Sequence, residues 1–99
     1  MLPKRVFIRA SAHLARVRAC GCCVPGCWRE PVQAHHDRRD GRGGTGIKPS
    51  DIFCVPLCNL HHSQVHHKGV IWVEREYGLD LRAIATWQAY LSKQLGLIK

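Results

Sequence analysis

Long apolar runs, acidic side chains and repetition are all scarce in these 99 residues. From Met1 to Ala19, Lys4, Arg5, Arg9, Arg16 and Arg18 interrupt every hydrophobic stretch, so no signal-peptide core can form there. Nowhere do roughly 20 apolar residues follow one another, which excludes a membrane-spanning helix. The expectation is a cytoplasmic chain whose six cysteines stay reduced and bind metal rather than forming disulfides. Only seven Asp and Glu oppose fifteen Lys and Arg, giving a formal charge of +8. Such an excess is the electrostatic footprint of a polyphosphate binder, although ribosomal and other basic proteins share it. Without a repeat, linker or low-complexity tail, residues 1–99 read as one domain.

A domain of this size buries too little surface to rest comfortably on its hydrophobic core. Six cysteines and seven histidines offer the missing staple as metal ligands. Ser11 is a plausible N-cap for a short helix over Ala12 to Ala19, with Leu14 and Val17 at helical spacing. A cysteine knuckle, Cys22-Cys23-Val24-Pro25-Gly26-Cys27, follows, and its Pro-Gly turn folds two thiols towards one ion. Val32 to His36 reads as a strand that pairs with a second one over Ile52 to Leu57. Between them, Arg38, Arg39, Arg42 and Lys48 are interleaved with Gly41, Gly43, Gly44 and Gly46, a loop suited to phosphate contacts. Cys58 to Lys68 suits a helix ending near Gly69, and Val70 to Val73 reads as apolar chain returning over the core. Asp80 can cap a last helix from Leu81 to Gln94, within an element placed at 79–96, with Leu81, Ile84, Trp87, Leu91 and Leu95 as its apolar stripe. Trp72, Trp87 and Tyr90 are expected in the core, Cys54 as a buried thiol, and His13 and His67 as bystanders.

At 100° per residue, Cys58 and His61 point to one side of their helix, and His62 and His66 to another roughly 90° away. One helix can therefore serve two metal sites. The first takes Cys58 and His61 with two knuckle thiols, a donor set typical of closed structural zinc. Cys22 and Cys27 are the favoured pair, with Cys20 or Cys23 as alternatives. The second takes His62 and His66 with His35 from the strand, leaving positions open for water or a phosphate oxygen. His36, on the other side of the strand backbone, is a candidate general base.

The knuckle, Ala34-His35-His36, Gly43-Gly44-Thr45 and Pro56-Leu57-Cys58-Asn59-Leu60-His61-His62, followed by His66 and Trp72, together resemble the zinc-containing HNH endonucleases of bacteria and phages. The resemblance covers about residues 20 to 72. It implies a ββα-metal fold, and with the helices read on either side of it the expectation is an α+β fold, a small ββα-metal domain with a cysteine zinc knuckle and flanking N- and C-terminal helices. It also implies hydrolysis of DNA phosphodiesters, with His36 as general base and His35, His62 and His66 facing the catalytic ion. The family's middle Asn has no direct counterpart: Asp51 lies near that place, and Asn59 is the nearest asparagine.

The implied chemistry is in-line attack by water that has lost a proton to His36, leaving 5′-phosphate and 3′-hydroxyl ends. Imidazole donors favour Mn²⁺, Ni²⁺, Co²⁺ or Zn²⁺ at least as much as Mg²⁺, with Mn²⁺ preferred. One ion and one base cut one strand, so a monomer nicks. The rival expectation is a non-catalytic zinc module that binds nucleic acid, which must explain more potential ligands than one ion can use. A disulfide-stapled secreted protein ranks last.

Overall fold

Cys54–Cys58 (β2) is buried along all five residues, and most of the other elements of the computed structural model pack around it. The structure describes residues 11–36 and 52–98. Arg38, Arg39, Arg42, Lys48 and Asp51, expected at the DNA and in the middle of the motif, lie outside the described residues. The described elements give a small α+β fold in the order α1 (Ser11–Ala19), β1 (Val32–His36), β2, α2 (Asn59–Lys68), α3 (Val70–Tyr77) and α4 (Leu81–Gln94). Among the described residues, no helix is long and apolar enough to cross a membrane.

β1 and β2 pair antiparallel, Val32 opposite Cys58 and His36 opposite Cys54. β2 begins at Cys54, two residues later than the apolar run, and the Ile52 carbonyl ahead of it accepts from His13 Nε2 at 2.8 Å. Pro56 costs the pair nothing. In an antiparallel strand a residue's N–H and C=O share one side, and the Pro56 carbonyl accepts the Cys23 N–H at 2.9 Å on the edge away from β1. Val24, Val55, Leu57, Val65, Val73, Leu81 and Ala85 form the apolar core.

Val70 to Val73 does not return as extended chain; it opens α3. Gly69, at φ 93° and ψ 158°, adopts a backbone open to glycine and turns the chain between two helices. Val70 and Val73 then pack inward at helical spacing while Trp72 and Ile71 face solvent. Packing of that one face outweighs the preference of the β-branched run for a strand.

The buried face of α4 is Leu81, Ala85, Gln88 and Ser92, rotated from the expected stripe. Trp87 and Tyr90 are 56 % and 52 % exposed, stacked on one another rather than in the core. The rotation follows from α1, which presents polar groups to α4. Arg16 donates through Nε to Ser92 Oγ at 2.8 Å and through Nη2 to Gln88 Oε1 at 2.6 Å.

His13 is no bystander. It is fully buried, with Nδ1 2.6 Å from Ser92 Oγ and Nε2 on the Ile52 carbonyl. A carbonyl only accepts, so Nε2 carries a hydrogen and, in the neutral ring, Nδ1 accepts from the serine hydroxyl. The relay Arg16 to Ser92 to His13 to Ile52 ties α1, α4 and the entry to β2. His13→Ala is expected to lower unfolding stability by about 2–4 kcal/mol, because it removes two hydrogen bonds from a fully buried ring and opens a cavity. Urea denaturation reads this directly, and a loss below about 1 kcal/mol would show that the relay holds nothing.

Candidate metal centres

The first cluster is assembled by the junction between β2 and α2. Cys58 ends the strand and is also the N-cap of the helix at φ −70° and ψ 170°, its Sγ accepting the His61 N–H at 3.5 Å. The knuckle reaches it through a turn closed by Cys27 N–H to the Val24 carbonyl at 3.1 Å. Gly26 at φ 77° supplies the positive φ that a Pro-Gly type II turn requires.

This brings together Cys22, Cys27, Cys58 and His61, whose ligand atoms all lie within 4.8 Å of one another. The cluster could hold a metal ion. A tetrahedral ion with metal–sulfur bonds near 2.3 Å sets its sulfurs about 3.8 Å apart. Cys27 Sγ and Cys58 Sγ are 3.8 Å apart, and His61 Nδ1 lies 3.3 Å from Cys22 Sγ and 3.2 Å from Cys58 Sγ. The alternatives in the knuckle do not join the group: its four members leave out Cys23, and Cys20 Sγ is held by Arg16 and Gln88. None of the six cysteines forms a disulfide, and Cys54 is fully buried.

Burial pushes the Cys22 thiol up to about 11 and Cys23, with help from the Cys22 charge, up to about 12. Desolvation also acts on Cys27, but the Arg29 backbone N–H, the Cys22 and Cys58 thiols and the Arg29 guanidinium hold it below its ordinary value. Burial, then Arg29, lowers His61, which keeps the ring neutral as a ligand must be.

His35 on β1 and His62 and His66 on α2 form the second group, again with ligand atoms within 4.8 Å of one another. Their ring centroids are 5.1, 5.8 and 4.6 Å apart, and His62 Nε2 is 3.2 Å from His66 Nε2. Burial, then the neighbouring His66, lowers His62. This group is more open than the first, with His66 exposed and the other two half-buried. His36 follows His35 on β1, half-buried and, by strand alternation, on the other face. Asn59 accepts the Gln33 side-chain amide through Oδ1, joining the first turn of α2 to β1. His67 contacts only its helix neighbour Ser63 among the contacts described, 3.1 Å from Nδ1.

Tyr77 and Trp28 were not anticipated at a site. Tyr77 stands edge-on to His61 with centroids 5.0 Å apart and donates its hydroxyl to Gln64 at 2.7 Å. Its place follows from α3, and the residue pattern shows it only once that segment is read as a helix. Trp28, directly after Cys27, is 92 % exposed.

The fold and these two groups define a small α+β protein with a Cys₃His cluster that could bind metal beside an imidazole cluster. Residues 1–96 match the family described as protein of unknown function DUF968, and the chain belongs to it. The chain is also similar to the uncharacterized protein YdfU of Escherichia coli (strain K12), 37% identical over 70 residues. That match covers 70% of this chain but 18% of the relative, so the chain spans less than a fifth of that protein. No solved structure matches the chain.

The Cys₃His geometry generates a metal-retention test. Purified protein is expected to carry about one ion per chain that resists mild chelation. Cys58→Ala should abolish retention while Cys20→Ala and Cys23→Ala keep it, as read by metal analysis after gel filtration. The raised Cys22 thiol is protonated at neutral pH without metal, so binding releases a proton and affinity falls as pH falls. Below the ordinary histidine value of about 6.5, protonation of His61 adds to the loss. Retention that rose on acidification would refute the ligand set.

Proposed function

We propose that this chain is a divalent-metal-dependent DNA endonuclease of the HNH, or ββα-metal, type. The observation that carries the reading is the convergence of three imidazoles from one strand and one helix, beside a separate four-ligand cluster that has no need of them. A 3.2 Å approach of His62 and His66 through their ring nitrogens suits two ligands on a shared cation, for which metal–nitrogen bonds of 2.0–2.1 Å place nitrogens about 3.3 Å apart.

In this reading Cys22, Cys27, Cys58 and His61 hold a structural zinc ion, the common occupant of a closed Cys₃His set. His35, His62 and His66 hold the working ion, with Mn²⁺ favoured over the oxygen-preferring Mg²⁺ for an all-imidazole set. When bound, that ion supplies Lewis acidity to a phosphate oxygen and to the leaving 3′-oxygen. His36 takes the proton from the attacking water, a role that needs a ring near the cation but not on it. The products carry 5′-phosphate and 3′-hydroxyl ends, and one base with one ion nicks a single strand. Arg38, Arg39, Arg42 and Lys48 supply phosphate contacts in the sequence between the strands. Asn59, already engaged by Gln33, would serve by fixing helix to strand rather than by touching the reacting atoms.

Supercoiled plasmid incubated with the protein and Mn²⁺ is expected to accumulate open-circular product. His36→Ala should cut at least about 100-fold more slowly while retaining its tightly bound ion. His62→Ala should lose cutting with the fold intact. Undiminished cutting by the His36 variant would sink the base assignment. Binding without cutting in every divalent metal would leave a non-catalytic zinc module.

A further inference from the structure

Trp28 is the most exposed of the large apolar side chains described, at 92 %. An indole left in water forgoes a large burial gain, and here it is left on a rigid mount. Cys27, one residue before it, belongs to the Cys₃His cluster, and Val32, four residues after it, begins β1 opposite Cys58. Trp28 borders an open groove of about 600 Å³ whose walls include Pro25, Arg29, Leu60 and Tyr77 and which reaches Cys27 and His61 of the cluster. Leu60 is itself exposed in the first turn of α2.

The charge on this groove selects its occupant. Among the described residues its lining includes Arg29 and no Asp or Glu, and Glu30 borders the adjoining hollow that Trp28 and Arg29 also line. The other exposed aromatic pair, Trp87 with Tyr90, borders a groove in which Glu74 and Asp80 outnumber the single cation Arg82. An excess of carboxylate disfavours a phosphate chain there, whereas an exposed indole next in sequence to an arginine is an arrangement that can stack a base and contact its phosphate. Duplex DNA hides its base faces, so only an unpaired base can use such a platform.

We propose that the groove bordered by Trp28 and Arg29 binds an unpaired nucleobase of single-stranded DNA, with the indole as stacking platform and Arg29 on the adjoining phosphate. This deepens the nuclease reading and rests on its DNA-binding part, because it names the substrate as DNA with single-stranded nucleotides beside the cut. Seven residues separate Trp28 from His35, a chain reach of at most about 24 Å. At 3.4 Å per stacked step, one strand spans both sites in about seven nucleotides or fewer.

The test uses the full chain with its tightly bound ion and no added catalytic metal. Fluorescence anisotropy measures binding to a labelled oligo-dT of about twelve nucleotides, a length within single-strand site sizes. A blunt duplex of about 20 base pairs is the comparison, bound through phosphates alone. Trp28→Ala is expected to weaken oligo-dT binding about 10-fold or more with duplex binding changed less than about 3-fold, and Trp28→Phe to recover most of the loss. Arg29→Ala should weaken oligo-dT binding and lower its salt dependence. In a variant whose only tryptophan is Trp28, oligo-dT should quench the indole fluorescence, a readout that loss of packing elsewhere does not produce. Equal effects of Trp28→Ala on both DNAs, or none on either, would overturn the proposal. Wild-type protein that binds duplex but not oligo-dT overturns it while sparing the nuclease reading, and leaves the groove to a protein. Protein that binds neither defeats both.

Discussion

Cys58 is the constraint on which the rest of the structure depends. It closes β2, caps α2 and contributes a sulfur to the Cys₃His cluster. These roles support one another. The cap that accepts the His61 N–H fixes where the Cys58 sulfur sits, and that is the position from which it joins the cluster. With the cap fixed, the rotation of α2 about its axis is fixed as well. His61 must face the knuckle, and His62 and His66 must face β1, because successive helix positions are set 100° apart. One side chain thereby decides where two groups of ligands converge. Among the described residues the apolar cluster around it has seven buried members, and an ion tying knuckle to helix would add to what their packing contributes.

Much of this was legible in the residue pattern, for identifiable reasons. The hairpin, α2 and α4 carry strong local signals, and Asp80 caps α4 as expected, accepting the Ala83 N–H at 3.0 Å. The division of Cys58 and His61 from His62 and His66 needs only helix geometry. The knuckle pairing is less accessible, because Cys20, Cys22, Cys23 and Cys27 are chemically alike. What separates them is tertiary: Cys23 is tied through its N–H to Pro56, and Cys20 points at Arg16 and Gln88.

The failures share one cause. Val70 to Val73 is helical because Val73 finds the core only in that form, a fact about neighbours rather than propensity. The α4 face is misjudged by hydrophobicity because its inward residues Gln88 and Ser92 are polar and answer to Arg16 and His13. Hydrophobic periodicity cannot register a helix that buries hydrogen-bond partners. Trp87 and Tyr90 consequently appear outside, where an apolar stripe would have hidden them. A buried polar seam is costly unless every member is partnered, so His13 belongs to the architecture as firmly as any core leucine.

The two ligand groups differ in the property that separates holding from reacting. The Cys₃His group offers four donors, its Cys58 and His61 are buried, and a four-donor tetrahedral set leaves no position for an incoming oxygen. The imidazole group offers three donors and is half-open, so a cation there would keep positions for water and phosphate. Three neutral rings contribute no negative charge, so a cation they held would keep its net positive charge and more Lewis acidity than one held by thiolates. Three rings also hold it less tightly than four ligands, which makes rigidity of their mounts more important. Two of those mounts are on α2, whose orientation is set by the first group. The closed cluster therefore acts on the open one through the helix they share, without touching it.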